Sequence, residues 1–269
     1  MYLEFYGLNE FPFNITPDPR FLYYSPRHRE AMDLLLYGIA NRKGFIELTG
    51  EVGCGKTTTL RSVLSRLPHD VETALVLNPS MDGDQLLRSI LKDFGLTIRG
   101  NDRLDYVEQL NEFLLMQAER GRNVVIVIDE AQDLGAEVME QVRLLSNLET
   151  DEYKLMQIVL AGQPELRERL AQHDLRQLRQ RILIRCHLSP LLEEEVIEYI
   201  THRLQVAGAG EDVWFEPEAI KKVYEYSNGI PRLINAVCDL AMLAGYAAQS
   251  LNIEESQVDR ALQQLECKV

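Results

Sequence analysis

Residues 45–60 read Phe45-Ile-Glu-Leu-Thr-Gly50-Glu-Val-Gly-Cys-Gly-Lys56-Thr57-Thr58-Thr-Leu60. A short apolar run predicts a strand ending at Thr49. A glycine-rich turn follows, and Lys56 to Leu67 predicts a helix closed by Pro68. Gly50, Gly55, Lys56 and Thr57 fit the phosphate-loop pattern of glycine, four residues, glycine, lysine, hydroxyl. The chemistry needs those types at that spacing. Glycines let backbone N–H groups turn inward as a nest for phosphate oxygens, and the helix N-terminus adds its positive dipole end. On this reading Gly50, Glu51, Val52, Gly53, Cys54, Gly55, Lys56, Thr57 and Thr58 cradle the phosphates. Lys56 neutralises the terminal ones, and the Thr57 hydroxyl holds Mg²⁺. The competing reading is a chance match in an ordinary strand–turn–helix, but a random match seldom has both the strand before and the helix after. The stretch implies a nucleotide-binding protein.

The rest of the composition fits that class. At 269 residues, 46% hydrophobic and 26% charged, the chain suits one large or two modest soluble domains. No apolar run approaches bilayer length, and Met1-Tyr-Leu-Glu-Phe5 lacks the pattern of a signal sequence. Cys54, Cys186, Cys238 and Cys267 have no paired spacing for a metal or a disulfide framework, which predicts a reducing cytoplasm. A formal charge of −14 argues against broad attraction to nucleic acid or anionic lipid, while leaving room for a local basic patch.

Upstream of the loop, Pro12, Pro17 and Pro19 forbid regular helix and predict an extended arm on the body. Its aromatics either line an adenine pocket or, as Phe11, Phe13 and Phe21, simply pin the arm down. Ser25-Pro26 opens a helix to about Asn41. Downstream, Thr73–Leu77 predicts a strand ending at Asn78-Pro79. A helix capped by Asp82 follows, then an amphipathic one from Leu104 to Arg120 with Val107, Leu110, Leu114 and Met116 near one face. Val124–Ile128 is wholly apolar, as expected in the middle of a parallel sheet covered on both faces.

At the carboxyl end of that strand stand Asp129 and Glu130, where open α/β sheets bind their ligands. Asp129 is placed to hold Mg²⁺ and Glu130 to polarise an attacking water; acids at a solvent-facing strand end are the bland alternative. After a helix over 136–148, the strand Met156–Ala161 leads to Gln163, either a ligand of the γ-phosphate or lytic water, or a plain loop amide. Arg167, Arg169, Arg176, Arg179, Arg181 and Arg185 form the one basic segment: a solvated helix face, an arginine finger reaching a neighbour's γ-phosphate, or a nucleic-acid contact. A fifth strand, Ile182–Leu188, closes the α/β pattern. From Ser189 the chain reads as helices alone, which marks a domain boundary near Leu188–Pro190. There Gly229-Ile-Pro231-Arg232 begins a helix with a cation in its first turn. That cation is electrostatically disfavoured unless an anion, a local carboxylate or a nucleotide phosphate, answers it.

The arm Phe5-Tyr-Gly-Leu-Asn-Glu-Phe-Pro-Phe13, Thr16-Pro-Asp-Pro-Arg-Phe-Leu-Tyr23 and His28-Arg-Glu-Ala31, with Gly162-Gln-Pro-Glu-Leu166 and Gly229-Ile-Pro-Arg-Leu-Ile-Asn235, resembles the AAA+ ATPase domain of the general secretion pathway protein A (ExeA) family over nearly the whole chain. The resemblance implies an α/β fold, a five-stranded parallel-sheet P-loop core with its arm over residues 1–188, then a small all-α lid over residues 189–269. It makes Gly50–Thr57 the Walker A motif and Asp129-Glu130 the Walker B motif. Asn78 becomes a polar restraint on the catalytic glutamate, Gln163 the first sensor and Arg232 the second. The finger falls within Arg176–Arg181, with Arg181 favoured over Arg179 as the residue just before the fifth strand. A finger implies a homo-oligomer, ring or filament, hydrolysing ATP with Mg²⁺ for a secretion or envelope-assembly partner. Full-length members continue into a transmembrane helix and a peptidoglycan-binding part. This chain stops short of both, which is expected either of a piece of such a protein or of a single-domain relative. A cytoplasmic location follows, alone or at the inner face of the membrane through a partner or a further C-terminal region. A DNA-bound regulator of the TnsC transposition type and a nucleotide-gated scaffold with little turnover are the alternatives.

Overall fold

The computed structural model describes residues 2–77, 81–149 and 154–266. Along the chain run α1 (Tyr2–Phe5), α2 (Pro26–Ala40), β1 (Phe45–Gly50), α3 (Lys56–Arg66), β2 (Val71–Val76), α4 (Gly83–Asp93), α5 (Arg103–Glu119) and β3 (Asn123–Ile128). Then come α6 (Ala136–Leu145), β4 (Gln157–Gly162), α7 (Glu165–Leu170), α8 (Arg176–Arg181) and β5 (Ile182–Leu188). Helices α9 (Glu193–Val206), α10 (Pro217–Ser227), α11 (Pro231–Ala248) and α12 (Glu255–Glu266) complete it. The chain divides into two compact units: residues 29–50 with 60–188, and residues 1–28 with 51–59 and 189–269.

The first unit is built on a five-stranded sheet in the order β2-β3-β4-β1-β5, every pairing parallel. β1 and β4 are buried at all positions and β3 at all but its first, so their apolar runs need no alternation. The edge strand β5 alternates instead, exposing Leu183, Arg185 and His187. Flanking helices start on side-chain caps: Asp82 with Gln85 opens α4, and Asp102 with Asp105 opens α5, each as a reciprocal capping box. On α5 the buried stripe is Tyr106, Leu110, Phe113, Leu114 and Gln117, whereas Met116, expected near that face, is half-exposed. Two residues from Leu114 is about 200° of helical turn, which carries Met116 to the outer side. Helix α6 stops at Leu145, short of the expected Leu148, because the Ser146 hydroxyl donates to the Arg143 carbonyl and closes the last turn.

The second unit gathers α9–α12 around one core, and the arm belongs to it. Tyr2, Tyr6, Phe13 and Phe21 are buried in the cluster that holds Val196, Ile200, Val223, Ile234 and Met242. The sequence reading kept the arm with the sheet in residues 1–188. The structure instead groups residues 1–28 and the phosphate loop, 51–59, with the C-terminal helices. The cause is visible in Arg203 of α9. Its Nε donates to the Pro12 carbonyl at 2.5 Å, its Nη2 to the Asn14 carbonyl at 3.0 Å, and its guanidinium lies over the Phe21 ring at 4.8 Å. A proline-rich segment cannot satisfy its own carbonyls in a helix, and this arginine does so instead. The arm is also less uniformly extended than expected, since α1 precedes the prolines and a 3₁₀ turn spans Pro19–Phe21. Phe13 and Phe21 pin it as expected, whereas Phe11 is half-exposed.

Candidate functional site

Three neighbouring strands end on one edge of the sheet. β1 and β4 pair through Thr49 with Gly162, and β4 and β3 through Leu160 with Ile128. All three are parallel, so their carboxyl ends share that edge, where ligands of open α/β sheets bind. The residues next in sequence are Glu51 after β1, Asp129-Glu130 after β3, and Gln163 after β4. The strands that lead into the phosphate loop, the acid pair and Gln163 thus end side by side. Asn78 lies outside the described residues.

The phosphate loop, in the second unit, is a backbone construction. Gly53 and Gly55 sit at φ +85° and +89°, the left-handed region that side chains disfavour. A Cβ on Gly53 would meet Arg232 Cβ at 2.6 Å, so the loop packs flush against the start of α11. There the Arg232 backbone N–H, one of the first-turn donors a helix leaves unpaired, donates to the Gly53 carbonyl at 3.3 Å. Gly50 is equally constrained in the sheet unit: a Cβ would stand 2.6 Å from the Leu188 carbonyl oxygen. Lys56 is buried, and its ammonium donates to the Glu51 carbonyl at 3.1 Å. Thr57 and Thr58 are half-buried in the first turn of α3, and Glu51 and Val52 are exposed. Burial pushes the Cys54 thiol up to about 11, which keeps it uncharged and unreactive. Among the described residues Arg232 has no carboxylate ion pair, so of the two anions expected for it the local one is not found.

The acid cluster, in the sheet unit, is built from side chains. Asp129 is buried, its N–H donating to the Val76 carbonyl at 2.9 Å while its Oδ1 accepts the Glu130 N–H at 3.0 Å. Glu130 holds a left-handed backbone, φ 52° and ψ 38°, that turns the chain sharply out of β3. Its Oε2 accepts from Gln132 Nε2 at 2.7 Å and from Gln163 Nε2 at 3.2 Å. Gln132 Oε1 in turn accepts the Gln163 backbone N–H at 3.1 Å. Two amides therefore converge on one carboxylate oxygen and also brace each other. Gln163 thus braces the Glu130 carboxylate, and Gln132, which shares that task, was missed by sequence reasoning. It lies two residues past the acid pair, and only the tight turn at Glu130 brings it back.

Of the basic segment, Arg181 is held within its own unit by the Ser146 hydroxyl and, at 3.3 Å, the Arg143 carbonyl, where a cation suits the C-terminus of α6. Arg176 and Arg179 are exposed. Arg167 and Arg185 serve a different partner, buried Glu47 of β1: Arg167 Nε lies 3.1 Å from Oε1 and Arg185 Nε 3.4 Å from Oε2. That pairing was also invisible in the sequence, where Glu47 reads only as an acid within an apolar strand.

Residues 39–170 match a family model described as an AAA domain. Over 262 residues, 97% of this chain, the sequence is 46% identical to general secretion pathway protein A of Aeromonas hydrophila, of which it covers 48%. The chain thus spans about half the length of that curated relative. Among solved structures, Cdc6p from Pyrobaculum aerophilum superposes with a TM-score of 0.74 at 15% identity, over 94% of this chain and 70% of that one. The ADP form of Aeropyrum pernix ORC2 gives 0.70 at 18% identity, over 94% and 71%. At such identities the likeness is one of fold.

Proposed function

The chain belongs to the AAA+ ATPase family in its general secretion pathway protein A branch, and from that premise we propose that it binds and hydrolyses MgATP. The observation that carries this reading is the convergence of the phosphate-loop strand, the acid pair and Gln163 on adjacent parallel strand ends. In support of a triphosphate, two glycines at positive φ allow the loop a backbone nest and a buried lysine follows them. Mg²⁺ would be held by the Thr57 hydroxyl and the Asp129 carboxylate, and when bound it offsets phosphate charge.

The chain's own residues supply the rest. The loop N–H groups and the Lys56 ammonium grip the terminal phosphates, and the Glu130 carboxylate orients and polarises the attacking water. Gln163 reaches the same water or the γ-phosphate. Arg232, with no carboxylate of its own among the described residues, answers the γ-phosphate from α11. Catalysis of this kind is positioning and charge stabilisation. An arginine of the Arg176–Arg181 stretch, Arg181 by the family pattern, completes the site in a neighbouring protomer of a ring or filament. Turnover would drive a secretion or envelope-assembly partner from the cytoplasmic side of the membrane. No described helix is long and apolar enough to cross a membrane.

Two variants test the core of the proposal. Lys56→Ala is expected to abolish nucleotide binding. Glu130→Gln is expected to bind MgATP as the parent does while phosphate release falls by about a hundredfold or more, the usual contribution of a general base. Unchanged release in Glu130→Gln would remove that residue from its role, and a parent protein without affinity for MgATP would end the reading. A DNA-bound regulator is the second reading, favoured by exposed Arg176, Arg179 and Arg185 on an otherwise acidic chain.

A further inference from the structure

We propose that His28 is a positioning residue of the phosphate loop, fixing the peptide plane between Cys54 and Gly55 and, through it, the Gly55 N–H of the anion nest. The proposal rests on the nucleotide-binding reading above and assigns a role that the loop's own sequence does not contain.

His28 lies in the first turn of α2, 3% exposed, beside Ser25 at 1%. Its Nε2 is 3.1 Å from the Cys54 carbonyl oxygen and its Nδ1 2.8 Å from Ser25 Oγ. A carbonyl can only accept, so Nε2 must carry the proton and Nδ1 must take the hydrogen of the Ser25 hydroxyl. Ser25 Oγ also receives the His28 backbone N–H at 3.4 Å, the ordinary bond of a helix N-cap. The Cys54 carbonyl thereby fixes the tautomer, and the Ser25 hydroxyl, able to donate or accept, answers it from the other side of the ring. Burial lowers the His28 pKa, which keeps the ring neutral with its single proton on the nitrogen that Cys54 needs.

A trans peptide directs its C=O and the following N–H to opposite sides. Tying the Cys54 carbonyl to the imidazole therefore turns the Gly55 N–H away from His28, to the side proposed for the phosphate. Gly55 is the residue least able to hold that orientation unaided, since a glycine at φ +89° has wide freedom on either side. A Cβ on Gly55 would lie 3.5 Å from His28 Nε2, so the ring backs the turn at contact distance. On the other flank the Gly53 carbonyl is held by the Arg232 N–H. Two successive carbonyls of the turn are thus pinned from outside, one by a histidine ring and one by a helix end.

A nest N–H grips phosphate in the ground state and the transition state alike, so its loss should weaken binding and leave the chemical step intact. The test uses the full chain with MgADP and MgATP: Kd by calorimetry, kcat and KM by phosphate release, and Tm for each variant. His28→Ala and His28→Asn both lose the bond to Cys54, and the asparagine amide still reaches Ser25. His28→Gln places an N–H near the Nε2 position and should rescue. We expect Kd and KM to rise about tenfold in the Ala and Asn variants with kcat within about twofold, the worth of one buried hydrogen bond, and the Gln variant to stay within about threefold of the parent. Should Ala fail to fold, the Asn and Gln pair decides. Parent-like Kd in the Asn variant, or Tm falling with no change in Kd, would overturn the proposal. Absence of MgATP binding in the parent would instead overturn the function proposed above.

Discussion

Glu130 pays for its geometry in backbone strain: a non-glycine residue in the left-handed region costs about 1 kcal/mol or more. What that strain secures is a carboxylate with Oε2 between two amide donors, Gln132 and Gln163. If those amides orient the base, Gln132→Ala should lower kcat about ten- to a hundredfold, the range for a hydrogen bond to a charged group, with KM for ATP unchanged. In a Glu130→Gln background the same substitution should have no further effect, because the group it orients is gone. An equal loss in both backgrounds would assign Gln132 to scaffold alone. The place of Glu130 and Gln163 just past two strand ends was legible because apolar runs locate such ends. The sequence could not reveal Gln132 or His28, whose partners are set by a turn and by packing between residues 26 apart or at a single unusual φ.

At the scale of elements, β1 carries a buried acid, Glu47, within its run. Glu47 is 2% exposed, while Arg167 from α7 and Arg185 from β5 are 44% and 48% exposed in their side chains. The burial cost is lopsided, and so should be the consequences of mutation. Glu47→Leu frees two arginines that can rehydrate, so stability should change by less than about 1 kcal/mol, since an apolar replacement for a buried ion is often neutral. Arg167→Ala with Arg185→Ala strands the buried carboxylate and should cost about 3–5 kcal/mol in urea unfolding. Equal costs would mean that the acid contributes by its shape and not by its charge. Element existence was legible here to within a few residues at most boundaries, because helix caps such as Asp82 and breakers such as Gly95 and Pro68 are local signals. The partnering of elements was not. The arm reads as proline and aromatic residues that need a surface, and only Arg203, nearly two hundred positions on, identifies which surface it takes.

For the molecule as a whole, the formal charge of −14 separates the readings of function by the sign of a salt effect. Copies of a strongly acidic chain repel one another, and at about 0.15 M salt that repulsion is screened beyond about 8 Å. Assembly held by nucleotide and short-range contacts should therefore persist or strengthen as salt rises. Binding through exposed arginines to nucleic acid must do the opposite, because each phosphate contact releases counterions and affinity falls steeply with salt. The measurement is the mass of the Glu130→Gln variant by analytical ultracentrifugation, with ATP and with ADP, from about 50 to 200 mM salt, the range over which a few phosphate contacts lose orders of magnitude in affinity. An oligomer seen with ATP, absent with ADP and indifferent to salt supports a subunit-completed ATPase. Arg176→Ala, Arg179→Ala and Arg181→Ala then sort the finger from its neighbours: the finger variant keeps nucleotide affinity and loses turnover only. Arg181→Ala should in addition lower Tm, since its guanidinium also closes the end of α6. An assembly that forms only on DNA and dissolves across the same salt range would transfer the basic segment, and the function, to the nucleic-acid reading.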